Sequence, residues 1–296
     1  MTMKLTINTL RVDPTRTTLL RRKFIAELSK RFRDLSKKIM QLVVHNDAFG
    51  LDTKTELVLH QVEVAPRRQF AFIKNPAKMD AFRGWLQEQI GLGLLEVEPV
   101  TGKPWTAKYV HSAYRKGMIR AYIDSHKADY ALKGEDWFIG GQEQFLKTAF
   151  LQPEVMSKVE LLSTRAFEQL KGITATMSQQ LSRNLAEGLV AGWAPYKIAR
   201  EMRKTNESLS RSRARMIART EIINAHAEGQ LDGFEELGIE EVGVIAEILT
   251  AGDQLVCPQC SAMEGKTFKV DEAHGILPIH PNCRCCWIPS EQNKRR

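Results

Sequence analysis

Apolar residues at Leu20, Phe24, Leu28, Phe32, Leu35, Ile39 and Leu42 step by four and three, which places them on one face of a long α-helix. Asp13, Pro14 and Thr15 supply a start signal ahead of that stripe. A second helix is expected from about Asn75, where Met79, Phe82, Leu86 and Ile90 align before Gly91 and Gly93 close it. Pro104 opens a third, whose Trp105, Tyr109, Tyr114 and Tyr122 suit a core or an interface better than a ligand cage. From Asn46 to about Pro76 the periodicity lapses into loop with one short strand. The glycine-dotted DYALKGEDWFIGGQEQF reads as a loop or lobe boundary.

Beyond Pro153 the helical period returns at Val155, Val159, Leu162, Phe167 and Leu170, with a break expected at Gly172. A restart at Thr174 carries Met177, Leu181, Leu185 and Leu189. Pro195 sits at the next helix entry, and a further helix is expected from Glu207 to a stop at Gly238. Only Val242 to Leu249, TFKV and CWIP have the composition of strands. The pattern predicts a mainly α fold: an elongated helical body with a small α+β, cysteine-rich C-terminal module. Its expected segments are a basic N-terminal region over 1–150, a central helical domain over 151–240 and a strand-and-turn module over 241–296.

Composition narrows this picture. At 296 residues, 43% hydrophobic and 26% charged, the chain has the balance of a folded protein rather than a disordered one. The opening MTMKLTINTLRVDP lacks the apolar core of a signal peptide, and no apolar run is long enough to span a bilayer. A reducing compartment is therefore the expectation. A formal charge of +8 and a pI near 9.2 favour polyanionic neighbours. The candidate nucleic-acid contacts are Arg21, Arg22, Lys23, Lys30, Arg31, Lys37 and Lys38 on the first helix, with Arg211, Arg213 and Arg215 on the later one. Few aromatics interleave with these charges, so they suit phosphate contact without base stacking.

All five cysteines lie after Val256. Cys257 and Cys260, with Pro258 stiffening the turn, form a C-x2-C knuckle that lets two thiolates reach one ion. His280 and Cys283 form a second pair, with Pro281 and Asn282 as turn residues, and Cys285 could replace either. Zinc is the expected ion, closed on four protein ligands as a structural staple. Three alternatives compete. A disulfide framework would need an oxidising compartment and leaves one cysteine unpaired. A catalytic thiol could use His274 or His280 as its base. His280 with Asn282 also prompts a zinc-containing His-Asn-His nuclease, although no second acid or histidine is suitably placed beside His280.

The order of ARTEIINAHAEGQLDGFEELGI, then GDQLVCPQCSAMEGKTF, then LPIHPNCRC resembles the phage head morphogenesis family, the Mu F-like minor head proteins. The resemblance covers about Met156 to Pro289. It implies that Arg219, Thr220, Glu221, Asn224 and His226 form a signature helix, and that Cys257, Cys260, His280, Cys283 and Cys285 form the cysteine module. It further implies a portal-associated component inside the virion head, made in the host cytoplasm and tied to head assembly and DNA packaging or delivery. Portal protein, inner capsid and double-stranded DNA are the implied partners, with a scaffolding protein as another and no membrane. No catalytic residues are expected: Glu221 with His226 as an acid and base pair finds no supporting phosphate loop, GxSxG elbow or HExxH motif. The polar residues of the signature helix are instead expected to pin the adjoining turn module by hydrogen bonds.

Overall fold

The computed structural model describes residues 13–50, 76–127 and 141–291. The strand expected before Pro76, most of the glycine-dotted stretch after Lys127 and the tail 292–296 lie outside these residues. The chain is mainly helical, with one small antiparallel sheet near its C-terminus. None of the described helices is long and apolar enough to cross a membrane.

Helix α1 spans Thr18–Met40 and begins on a cap built by Asp13, whose carboxylate accepts from the Thr15 and Thr18 hydroxyls at 2.8 Å and pairs with Arg21. Phe24, Leu28, Phe32, Leu35 and Ile39 are all buried, as their spacing predicts. Leu42 is not the next member. The helix widens into a π turn over Gln41–His45, and the extra residue in that turn delivers Val43 to the core instead. Helix α2 spans Pro76–Gly93 and buries Phe82, Leu86 and Ile90, and α3 spans Ala107–Lys127. The glycine-dotted stretch ends in a helix rather than a loop: α4, Gly141–Ala149, buries Phe145, Leu146 and Ala149.

Two expected breaks are absent. Helix α5 runs unbroken from Pro153 to Val190 through Gly172, and α6 runs unbroken from Pro195 to Glu236. A mid-helix glycine costs only about 1 kcal/mol relative to alanine. The continuous stripe Leu170, Thr174, Met177, Leu181 and Leu185 buries far more than that, since each large apolar side chain contributes roughly 1.5–3 kcal/mol.

The chain divides into two compact units, one of residues 1–25, 101–167 and 215–296, the other of 26–100 and 168–214. The three expected segments are not these units, because α1, α5 and α6 each run past a unit boundary. Among the described residues the regular elements of the second unit are all helices. Its Asn206, fully buried, donates to the Phe32 carbonyl at 2.8 Å and to the Ser36 hydroxyl at 2.6 Å. At its α5–α6 turn Gly188 lies against Ile198.

The first unit holds α3, α4, the adjoining parts of α1, α5 and α6, and the sheet. After α6, Gly238 takes a left-handed φ of 61° and a 3-10 turn over Ile239–Val242 leads into β1, Val244–Leu249. Two short helices follow, α7 at Pro258–Ser261 and α8 at Val270–Ala273, with β2 at Thr267–Phe268 between them and β3 at Cys286–Glu291 last. The sheet order is β2-β1-β3, and β3 pairs along the whole of β1, from Val244 with Glu291 to Leu249 with Cys286. Val244, Ala246 and Ile248 face inward, while Trp287 is fully buried edge-on to Phe268 with ring centres 5.9 Å apart.

Helices α3 and α6 of this unit pack backbone against backbone. A Cβ added at Gly117 would meet the His226 carbonyl oxygen at 2.1 Å, and one at Gly229 would meet the Tyr114 carbonyl oxygen at 2.2 Å. Gly117→Ala and Gly229→Ala are therefore each expected to cost several kcal/mol in denaturant unfolding, because backbone cannot yield as a side chain can. Gly172→Ala, where a Cβ meets nothing within 4 Å, is expected to raise stability by up to about 1 kcal/mol in the same assay.

Candidate metal centre and the helix that carries it

The first knuckle is set by local geometry. Cys257 caps α7 in extended conformation with Pro258 at the first helical position, and its sulfur accepts from the Cys260 N–H at 3.4 Å. The second is set by Asn282, whose φ of 69° suits asparagine better than most side chains, and by the Cys285 N–H donating to the Cys283 sulfur at 3.4 Å. Arg284 joins the two, donating to both carboxylate oxygens of Asp253 at 2.5 and 2.6 Å. The Glu264 carboxylate accepts from the Thr250 N–H at 2.7 Å and fixes the end of β1 against the same turn.

These turns bring five donors together. The Cys257 and Cys260 sulfurs each lie 3.0 Å from His280 Nε2, and Cys260 lies 3.8 Å from the Cys283 sulfur. The donors form two overlapping triads, Cys257 with Cys260 and His280, and Cys260 with Cys283 and Cys285, each within 4.8 Å. Cys260 belongs to both. A tetrahedral ion with metal–sulfur bonds of about 2.3 Å sets its sulfurs roughly 3.8 Å apart, the separation of Cys260 from Cys283. His280 Nδ1 faces the Pro281 carbonyl at 2.7 Å, which turns Nε2 toward the sulfurs in the manner of a metal-bound imidazole. The donor set therefore fits a soft tetrahedral metal. Cys257, Cys260 and His280 would supply three positions, with Cys283 or Cys285 the fourth.

Cys286 stands apart. It begins β3, is wholly buried and belongs to neither triad, and burial pushes its thiol up to about 12. Within the cluster the thiols differ. Hydrogen bonding from the Cys285 thiol and from backbone holds Cys283 down at about 5, whereas desolvation pushes Cys260 up to about 12 and the Cys283 thiol raises Cys285 further. His280 is raised, its Pro281 bond and the neighbouring thiolates outweighing burial.

The signature residues occupy a helix stretch that is buried on every side from Glu221 to Phe234. Thr220 touches the module directly, its hydroxyl accepting from the Asn282 N–H at 3.3 Å. Glu221 and Asn224 do not: both face Arg165 of α5, at 3.6 and 3.5 Å, and burial raises the Glu221 carboxyl. His226 is buried with Nδ1 unpartnered among the described residues, and desolvation lowers it to about 3, so the ring is neutral. Arg219 is half-buried.

Four residues further along α6 do more of the fastening, and the sequence pattern did not single them out. Gln230 bonds both backbone groups of Trp287, its side-chain nitrogen donating to the carbonyl at 2.7 Å and its oxygen accepting from the N–H at 3.1 Å. Glu228 accepts from the Gly275 N–H at 2.9 Å and from His274 Nδ1 at 2.7 Å. Glu235 takes His274 Nε2 at 3.0 Å, and Asp232 pairs with Lys158 and accepts from the Tyr114 hydroxyl. The spacing of 228, 232 and 235 on one helix face was the available signal, hidden because the partners are distant in sequence. Asp232, Glu235 and His274 also lie close enough to hold an ion. The Lys158 ammonium already neutralises that corner, and both nitrogens of His274 serve as donors there, so it is an ion-pair clasp.

Of the ten basic candidates, Arg21 is corrected by the structure. It is buried against Asp13, and desolvation lowers it, so it does not face a polyanion. Arg31 is largely occupied by Glu27, Glu96 at 2.7 Å and the Gly93 carbonyl at 2.6 Å, and Lys37 pairs with Asp34 at 3.1 Å. Arg22, Lys23, Lys30, Lys38, Arg211, Arg213 and Arg215 are exposed.

Together these features define a mainly helical protein that carries a cysteine and histidine module on one buried helix. Residues 179–288 match the family described as Phage Mu protein F like protein. That stretch takes in the end of α5, all of α6 and nearly all of the module, so the chain is similar there to a family of phage head proteins. No curated protein and no solved structure matches the chain.

Replacing Cys260 by serine removes the donor common to both triads and is expected to reduce bound metal from about one ion per chain to near zero by mass spectrometry. Cys286→Ser is expected to leave metal content unchanged. The His274 clasp gives a second expectation. Its pKa is raised from 6.5 to about 9 by Glu228 and then Glu235, so the stability it adds is complete below about pH 6.5 and lost as pH rises through about 9. The stability difference between wild type and His274→Gln should therefore shrink between pH 7 and 10 in urea unfolding.

Proposed function

We propose that the protein is a non-enzymatic minor head component, associated with the portal on the inside of the capsid, whose metal-stapled module is a docking element. The observation that carries this is the donor cluster itself: two triads of soft or imidazole donors share Cys260, together offering more donors than the four a tetrahedron takes, so a metal held there need keep no position for substrate or water. Zinc is the ion such a set prefers, held by Cys257, Cys260 and His280 with Cys283 or Cys285. Bound there, it supplies cross-linking between the two knuckles. The chain's own residues do the rest: Thr220 and Gln230 hold the module against α6, and Arg284 with Asp253 holds the knuckles together.

Head assembly and DNA packaging or delivery are the processes such a component serves, with portal protein and inner capsid as its partners and a scaffolding protein as another candidate. Contact with packaged double-stranded DNA follows from the basic surface, is independent of sequence, and weakens with salt as counterions are released. Glu221 and His226 support no acid and base pair: one faces Arg165 and the other is a neutral buried ring.

The test has two arms. In phage particles lacking this protein, or carrying Cys260→Ser, heads are expected to form with reduced infectivity and the protein is expected to be missing from purified heads. In the second arm the purified protein is incubated with supercoiled plasmid and magnesium or manganese. No nicking is expected. Nicking abolished by His280→Ala would establish the nuclease alternative instead.

A further inference from the structure

On the second unit, α1 and α2 frame an open groove of about 850 Å3. Its walls carry Lys30, Arg31, Arg33 and Lys38 from α1, together with Glu27, Asp34 and Gln89. The acids are already engaged: Glu27 faces Arg31 at 3.2 Å and Asp34 faces Lys37 at 3.1 Å. Lys30, Arg33 and Lys38 are exposed and have no acidic partner among the described residues, and Lys38 donates only to the neutral Gln89 side chain at 2.7 Å. Three uncompensated cations therefore line one concave surface.

We propose that this groove is the phosphate-backbone seat of the protein, with Arg33 at its centre and Lys30 and Lys38 on either side. The proposal rests on the DNA contact put forward above and names where that contact is made. Eight residues of helix separate Lys30 from Lys38, about 12 Å along the axis. Measured along a duplex axis, that span covers roughly three to four phosphates of one strand, at about 3.4 Å of axis each. A guanidinium in the middle offers a fork for bidentate contact to phosphate oxygens, and an ammonium at either end tolerates a less fixed geometry. A concave, cation-lined surface also concentrates a polyanion better than the convex side of a helix. The groove presents no exposed aromatic ring, so binding follows charge and not base identity.

The probe is a 30-base-pair DNA duplex, followed by fluorescence anisotropy against the full chain at several salt concentrations. Lys30→Gln/Arg33→Gln/Lys38→Gln is compared with Arg211→Gln/Arg213→Gln/Arg215→Gln, with thermal unfolding confirming that both remain folded. The groove variant is expected to bind at least tenfold more weakly at low salt. Its salt slope should fall by about 2 to 3 from three lost phosphate contacts, and the second variant should lose less. Unchanged binding by the groove variant, with loss confined to the Arg211 set, would overturn the groove and leave DNA contact standing. If wild type fails to bind the duplex at low salt, DNA contact itself falls. If it then binds polyglutamate through the same three residues, the groove serves an acidic protein and the phosphate assignment is wrong.

Discussion

The stretch of α6 from Glu221 to Phe234 is enclosed on all sides, and the rest of the first unit is arranged around that burial. A helix so enclosed would ordinarily be apolar, yet this one carries glutamates, an aspartate, an asparagine, a histidine and a glutamine. Leaving a buried polar group unpaired costs about 1–3 kcal/mol, so these groups find partners on the elements they face, His226 Nδ1 excepted among the described residues. Glu221 and Asn224 turn to α5, Asp232 to α5 and α3, Glu228 to the loop after α8, and Gln230 to β3. The helix is thus a common axle. Its polar side chains fix the surrounding elements in register, which apolar packing alone does weakly.

The same axle explains the glycines. Gly229 and Gly233 of α6 and Gly117 of α3 allow the two backbones to approach until a methyl group would clash. That approach leaves Tyr114 close enough to Asp232 for its hydroxyl to donate to the carboxylate, and the acid together with burial drives the phenol far above its ordinary range. Dense backbone packing and the buried polar network depend on each other here.

The cysteine module is small, with a sheet of three short strands and two one-turn helices. Such a module has a small core, Trp287, Val270, Leu277 and the inner face of β1, and domains poor in core rely on staples. Its thiols split into two that are lowered, Cys257 and Cys283, and two that are raised, Cys260 by burial and Cys285 by its bond to Cys283, because closely spaced, partly buried sulfurs cannot all ionise without a compensating positive charge. A divalent ion bound there would supply that charge. The structural lean toward α6 through Thr220 and Gln230 means that the module's order and the helix's order are linked.

Much of this was legible in the chain itself. Helical spacing gave the buried stripe of α1, Phe82, Leu86 and Ile90 of α2, and the apolar series of α5, because side-chain direction repeats with a fixed period. The C-x2-C spacing, Pro258 and the His-Pro-Asn-Cys run marked the knuckles, because metal ligation at a tight turn is local chemistry. What stayed hidden depended on distance. Gly172 looked like a stop until tertiary burial on either side outweighed its cost, and Arg21 looked like a surface cation until Asp13 folded over it. Gln230 with Trp287, Glu228 with His274, and the contact of Gly229 with α3 join residues tens of positions apart. Period and spacing are properties of neighbours along the chain, and so the sequence by itself determined the helices, the turns and the donor types. Which polar groups meet, which charges are neutralised and which face is left open are properties of neighbours in space, and only the tertiary structure decided them.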